Sequence, residues 1–137
     1  EGIKSIENYL SNGYIGGCLT QRINSSKFVF RLIESSGNIR ARLSKIFYGD
    51  QGIFVRKDVF FEIGGFPEVP IMEDVLFSKK LREMGKTIVL SDKILASGRR
   101  WDKRGILKTT MLYNTIIILF KLGYPLEKIK LLYDELR

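Results

Sequence analysis

The chain has 137 residues, of which 45% are hydrophobic and 28% charged, and its formal net charge is +8 at pH 7. This length suits one domain with a real core, the composition excludes a disordered segment, and a single Cys18 with no histidine excludes an internal disulfide and a histidine-based zinc cluster. The positive charge favours an anionic partner such as nucleic acid, anionic lipid or a phosphorylated substrate, against the alternative of a generic basic surface.

The chain is predicted to begin with a helix followed by a strand. Residues 3–10 carry apolar side chains near helical spacing, and Asn12-Gly13 is typical of a helix stop. Residues 14–23 are predicted to form a strand. The paired glycines inside it, Gly16-Gly17, indicate a bulge or the close approach of another backbone.

A long helix is predicted over residues 28–46. The run Ser35-Ser36-Gly37-Asn38 is a candidate break that would divide it in two. Helical spacing of apolar residues predicts which side faces the core. The candidate core residues are Phe28, Leu32, Ile39, Leu43 and Ile46.

Short elements are predicted in the middle of the chain. Residues 52–56 form a short apolar strand, and a helix of about two turns covers residues 57–63 until Gly64-Gly65 stops it. After a proline-containing loop, a helix is predicted over residues 73–84, where Gly85 ends it.

Strands and helices are both predicted in the last third of the chain. Apolar and β-branched residues predict strands at 87–90 and 94–96. A long apolar helix is predicted over residues 103–122. Its apolar run is shorter than the ~20 residues that a membrane-spanning helix needs, so core packing or a subunit interface is favoured over a membrane surface. A last helix starts at Pro125 and places on one face Leu126, Ile129, Tyr133 and Leu136.

The first polar cluster is Gly49-Asp50-Gln51-Gly52, directly before a predicted strand. The flanking glycines allow another group to approach the backbone closely, and Asp50 and Gln51 offer hydrogen-bond acceptors and donors for hydroxyl groups. The alternative is an ordinary turn in which Asp50 bonds to its own backbone.

The second cluster is Glu73-Asp74 at the start of a predicted helix. Asp74 shares the inward face with Phe77 and Leu81, and it lies at the positive end of the helix dipole, which keeps a carboxylate ionised. Such a carboxylate can take a proton from a sugar or lipid hydroxyl. The alternative is that acidic residues simply stabilise a first helical turn, each by about 0.3–1 kcal/mol.

The third cluster is Arg99-Arg100-Trp101, after a predicted strand. Arginine pairs bidentately with phosphate, and tryptophan offers a flat face for a sugar ring or a base. The alternative is a solvated charged face with Trp101 in the core. Further basic residues extend this patch: Lys103, Arg104 and Lys108.

Four segments in this order resemble the bacterial family 2 glycosyltransferases of the GT-A fold: residues 49–56, 64–68, 72–74 and 97–101. The resemblance covers roughly residues 14–137 and implies inverting transfer of a sugar from a nucleotide diphosphate sugar to a hydroxyl acceptor. It implies that Asp74, beside Glu73, is the catalytic base and that Asp50 and Gln51 line the sugar pocket. Arg99, Arg100 and Trp101 would close over the diphosphate and the acceptor.

The sequence departs from this family because it contains no Asp-x-Asp metal-binding motif. Ile3-Lys4-Ser5-Ile6 is similar to the helix that follows that motif, so the chain is expected to begin inside the fold. The expected fold is α/β: a partial GT-A fold in one domain, residues 1–137, with a mixed sheet, a helical C-terminal segment at 103–137 and no nucleotide-binding half. A divalent metal, Mg²⁺ or Mn²⁺, is expected in the intact enzyme and none on this chain, which alone should be inactive.

The partners and the cellular location of the protein are predicted from the same expected partial fold. Strand edges and apolar surface left uncovered by the absent half predict self-association. A cytoplasmic location is expected, with attachment to the inner face of the membrane as a variant of it. Two alternatives stay open: a membrane-surface or protein-interaction domain that uses the helices after Lys103, and a weaker case, a nucleic-acid-binding module. In that module the stacking residues would be Phe28, Phe30, Tyr48 and Trp101.

Overall fold

The computed structural model describes residues 2–97 and 105–136, without the side chains of residues 50, 96, 97 and 136. Helices and strands alternate along the described chain, which confirms the predicted α/β class. The elements are α1 (Gly2–Ser11), β1 (Tyr14–Asn24), α2 (Phe28–Ser44), a 3-10 turn (Gly49–Gln51), β2 (Phe54–Val55), α3 (Lys57–Ile63), α4 (Glu73–Met84), β3 (Lys86–Ser97), α5 (Ile106–Lys121) and α6 (Leu126–Leu136).

Two compact units make up the chain. The first contains residues 2–67 and 74–97, and therefore the whole sheet with α1, α2, α3 and nearly all of α4. The second contains residues 68–73 and 105–136, and therefore α5 and α6.

The three described strands form one mixed sheet in the order β2-β1-β3. The central strand β1 is antiparallel to β2 and parallel to β3. The strands predicted separately at 87–90 and 94–96 are one continuous strand, β3, because its pairing with β1 resumes after a register shift between Cys18 and Thr20. At that irregularity the Thr20 hydroxyl donates a hydrogen bond to the Leu90 carbonyl oxygen at 2.6 Å.

The paired glycines predicted to permit a close approach do so on both sides of β1. A Cβ atom at Gly16 would lie 2.7 Å from the Phe54 carbonyl oxygen of β2. A Cβ atom at Gly17 would overlap the Ile88 carbonyl of β3. Both positions therefore exclude any side chain, and the glycines are what lets three strands pair at this level of the sheet.

The core of the first unit lies between the sheet and the helices that follow β1. Its buried members are Ile15, Cys18, Ala41, Phe47, Val59, Phe77, Leu81 and Val89. The ring of Phe77 also contacts Phe66, with 4.5 Å between ring centroids, and Phe60, with 5.8 Å. This aromatic group anchors the Gly64-Gly65 turn, in which both glycines have positive φ, to α4.

The buried face of helix α2 is not the face that the sequence predicts. Four of the five residues predicted for the core are exposed: Phe28 74%, Leu32 57%, Ile39 54% and Leu43 82%. The fifth, Ile46, is half-buried and lies beyond the helix end. The buried residues are instead Phe30, Glu34, Asn38 and Ala41. The candidate break at residues 35–38 does not occur, since α2 is continuous from Phe28 to Ser44.

Unpaired backbone groups on β1 explain this orientation. β2 pairs with β1 only at Gly16 and Gly17, which leaves the later part of that edge without a strand partner in the described chain. The Asn38 side-chain amide donates to the Gln21 carbonyl oxygen at 3.0 Å and accepts from the Gln21 N–H at 2.9 Å. The Glu34 carboxylate accepts from the Ile23 N–H at 2.7 Å. Buried backbone groups require partners, and two polar side chains of α2 supply them.

The second unit is a pair of helices joined at Gly123. This glycine has φ +86°, which ends α5, and the Pro125 carbonyl oxygen accepts hydrogen bonds from the N–H groups of Lys128 and Ile129 in the first turn of α6. Ile129 is 1% exposed and Leu126 and Tyr133 are half-buried, which confirms the predicted apolar face as far as it is described. Among the described residues, no helix has the length and apolar character needed to cross a membrane.

Candidate functional site

The first polar cluster folds into a tight turn packed on the sheet. Residues Gly49–Gln51 form one 3-10 turn, closed by a hydrogen bond from the Gly52 N–H to the Gly49 carbonyl oxygen at 3.3 Å. Gly52 has φ +71°, and a Cβ atom there would lie 3.1 Å from Ile94 and 3.4 Å from Leu19. The missing side chain therefore brings the turn onto the strands β1 and β3.

The second cluster lies directly against this turn. Glu73 is exposed and begins α4, as predicted, and Asp74 follows it in the first helical turn. The Gly49 N–H donates to Asp74 Oδ2 at 2.8 Å, and the Val75 N–H donates to Asp74 Oδ1 at 2.9 Å. Two backbone N–H groups and the helix N-terminus thus stabilise negative charge on a half-buried carboxylate.

Ser78 makes a second attachment between the same two segments, and sequence reasoning missed it. Its hydroxyl accepts from the Phe47 N–H at 2.9 Å and lies within hydrogen-bond distance of the Phe47 and Asp74 carbonyl oxygens, at 3.1 and 2.8 Å. Ser78 is completely buried. Its position four residues after Asp74, on the same helix face, is the signal that could have identified it.

Gln51 is the most buried polar member of the first cluster, with 1% of its surface exposed. Its side-chain oxygen accepts from the Tyr48 N–H at 3.0 Å, which stabilises the turn. The Gln51 Nε2 atom has no hydrogen-bond partner in the described part of the chain. An unsatisfied buried amide costs about 1–3 kcal/mol, so a ligand or further polypeptide that accepts from it would be stabilising. Asp50 contributes its backbone to the 3-10 turn.

Two predictions remain to be compared with the structure: the third polar cluster and the divalent metal expected in the intact enzyme. Arg99, Arg100 and Trp101 lie outside the described residues. Within residues 2–97 and 105–136, no group of three or more aspartate, glutamate, cysteine or histidine side chains could hold a metal ion. The described residues therefore do not fit the divalent metal expected for the intact enzyme.

Comparisons with protein families, with curated proteins and with solved structures found no match to this chain. The family resemblance consequently rests on the four motif segments alone. What the described structure adds is the contact between two of those segments, the turn that contains Gly49 and the helix that contains Asp74.

Proposed function

We propose that this chain provides the acceptor side and the catalytic base of an inverting family 2 glycosyltransferase of the GT-A fold. The observation that carries the proposal is the hydrogen bond from Gly49 to the Asp74 carboxylate. It joins two motif segments 25 residues apart in the sequence, and it fixes the position of the Asp74 carboxylate.

Asp74 acts as the general base in this mechanism. The acceptor hydroxyl gives its proton to the Asp74 carboxylate while its oxygen attacks the anomeric carbon of the donor sugar. The bond from that carbon to the diphosphate oxygen breaks on the opposite face, so the configuration inverts and a nucleoside diphosphate leaves. The proton then passes from Asp74 to solvent. Arg99 and Arg100 are assigned to the negative charge of the leaving diphosphate, and Trp101 to the acceptor.

The turn formed by Gly49–Gln51 is assigned to bind hydroxyl groups of the sugars. Asp50 and Glu73 are assigned as carboxylate acceptors for these hydroxyl groups, and Gln51 has an amide N–H group available. The 137 residues contain no Asp-x-Asp motif. Nucleotide binding is therefore assigned to polypeptide outside these residues.

The variant Asp74→Asn in the full gene product tests the base. The asparagine oxygen can still accept from Gly49 N–H, so the fold should persist while proton transfer is lost, which lowers the rate of nucleoside diphosphate release by about 10²–10⁴-fold. Calorimetric binding of the nucleotide should stay close to the wild-type value. Asp58→Asn, the same change at an exposed position of α3, is the matched control and should keep full activity. A rate loss of only a few-fold in Asp74→Asn would overturn the assignment.

A second candidate function, a domain that rests on a membrane surface, is supported by α5. Four large apolar side chains at helical spacing are exposed on it or at its end: Leu107 73%, Met111 59%, Ile118 57% and Leu122 70%. Lys108 and Lys121 are exposed on the same helix. Co-sedimentation of the chain with anionic vesicles, lost in Leu107→Ser/Met111→Ser, would support this function. Failure of the chain to sediment with anionic vesicles would remove it.

A further inference from the structure

A separate cleft lies between α2 and the strands β1 and β3. Its volume is about 320 Å³, and its walls include Thr20, Arg22, Ser35, Arg42 and Lys93. The side chains of Arg42 and Lys93 approach it from different elements, one from the helix and one from the strand. None of these residues belongs to the motifs from which the function was proposed.

The charges around this cleft do not cancel. Glu34, the one acidic residue of its lining, already accepts from the Ile23 N–H and lies 3.3 Å from Arg31 Nε and 3.6 Å from Arg22 Nη1. Arg42 and Lys93 make no ion pair or hydrogen bond with any residue of the described chain. Two positive charges are therefore left for something that enters the cleft.

The cleft faces away from the candidate catalytic site. Gly52 packs against Leu19 and Ile94. Thr20 pairs with Lys93 across β1 and β3, and successive side chains of a strand point to opposite faces. The lining residues Thr20 and Lys93 thus belong to the face of the sheet opposite the turn that contacts Asp74.

We propose that this cleft binds the phosphate group of a small phosphomonoester, with Arg42 and Lys93 as its principal ligands. A phosphate dianion matches the two uncompensated positive charges, and the planar guanidinium of Arg42 can pair with two phosphate oxygens. The volume lies at the low end of the range of small-molecule sites, roughly 300–1,000 Å³, which suits a small phosphomonoester. Exposed Ile39, which also lines the cleft, offers an apolar contact for the esterified group.

Titration with inorganic phosphate, followed by calorimetry and by amide chemical shifts, tests the proposal. Saturable binding should shift the resonances around Arg22, Arg42 and Lys93. Hydrogen bonds to a charged group contribute about 1.5–3 kcal/mol, so Arg42→Gln and Lys93→Gln should each weaken binding by about tenfold or more. Lys80→Gln removes the same charge from an exposed position of α4 outside the cleft and should leave binding unchanged. Circular dichroism verifies that each variant is folded.

A parallel titration with vesicles distinguishes the source of the phosphate. Binding to phosphatidic acid vesicles, and not to phosphatidylcholine vesicles, that is lost in Arg42→Gln would support the proposal with a lipid headgroup as the ligand. Dependence on Arg42 with free phosphate alone would support it with a soluble ligand. Equal weakening by Lys80→Gln, or the absence of saturable binding to both probes, would overturn it. The outcome is independent of sugar transfer, since Asp74→Asn leaves this cleft intact.

Discussion

Two glycines of one turn carry different constraints. Gly52 has φ +71°, and a Cβ atom there would stand 3.1 Å from Ile94, a tight contact, and 3.4 Å from Leu19. Gly49 lacks both restrictions, because a Cβ atom there would make only an ordinary contact, 3.8 Å from Asp74 Oδ2. The turn therefore depends on glycine at its end and on a backbone N–H group at its start.

Alanine substitutions separate these two requirements. Gly52→Ala forces a side chain into the left-handed region and should lower the free energy of unfolding by about 1–2 kcal/mol from backbone strain, with a further loss from the contact with Ile94. Gly49→Ala should change it by about 0.5 kcal/mol or less. Urea unfolding of both variants measures the difference. Equal destabilisation would show that the turn is not packed as described.

An exposed ion pair at the start of α3 has a defined response to pH. Arg56 donates to both Asp58 oxygens, at 2.9 and 2.7 Å, and these hydrogen bonds lower the pKa of Asp58 from 3.8 to about 2. Because the folded-state pKa is depressed, the pair contributes stability above about pH 4 and loses it as the pH falls toward 2. Carbon NMR of the Asp58 carboxyl should show this pKa, and Arg56→Gln should return it toward 3.8. Lys57→Gln is the control, and an unchanged pKa in Arg56→Gln would contradict the assignment.

At the scale of elements, polar side chains of α2 hydrogen-bond to the backbone of β1 at the edge where another strand would otherwise pair. Asn38→Leu would remove the two hydrogen bonds that this side chain makes with the partly buried N–H and carbonyl groups of Gln21, at a cost of about 0.5–1.5 kcal/mol for each bond. We expect a lower free energy of unfolding in urea and faster hydrogen exchange at the Gln21 amide. Ser36→Ala, on the exposed side of the same helix, should have no effect. A change within about 0.5 kcal/mol in Asn38→Leu would contradict the role of this side chain.

The elements also show where sequence reasoning works. Glycine stops and apolar spacing predicted α1, α3 and α4 to within a residue at most of their ends, because these signals are local. The predicted buried face of α2 was wrong because the prediction assumed that hydrophobic residues always face the core. Here the unpaired edge of β1 requires Glu34 and Asn38 instead. The contact of Gly49 with Asp74 is not readable from spacing, since it depends on the path of the chain between them.

At the scale of the whole molecule, α2 leaves an apolar stripe on the surface. Phe28, Leu32, Ile39 and Leu43 lie on one face across most of the helix and are all more than half exposed. Exposed apolar side chains that share one face of a helix are typical of a surface that contacts another molecule.

Self-association of the isolated chain is the expected result. Light scattering over a concentration series should show a mass above that of the monomer, and Leu32→Lys/Leu43→Lys should reduce it. Ser26→Lys/Ser36→Lys adds the same charge at exposed polar positions and should not. A monomer at every concentration of the wild-type chain would contradict this prediction.

The parallel pairing of β1 with β3 governs the order in which the molecule can fold. The Thr20–Leu90 hydrogen bond closes a loop of 70 residues, and contacts of such long range form slowly because the chain entropy is lost before the contacts stabilise it. The turn at Gly49 and the carboxylate of Asp74 both lie within that loop. During synthesis, Ile94 of β3, against which Gly52 packs, emerges after both Gly49 and Asp74, so the turn can dock on β3 only after both segments of the contact have been made.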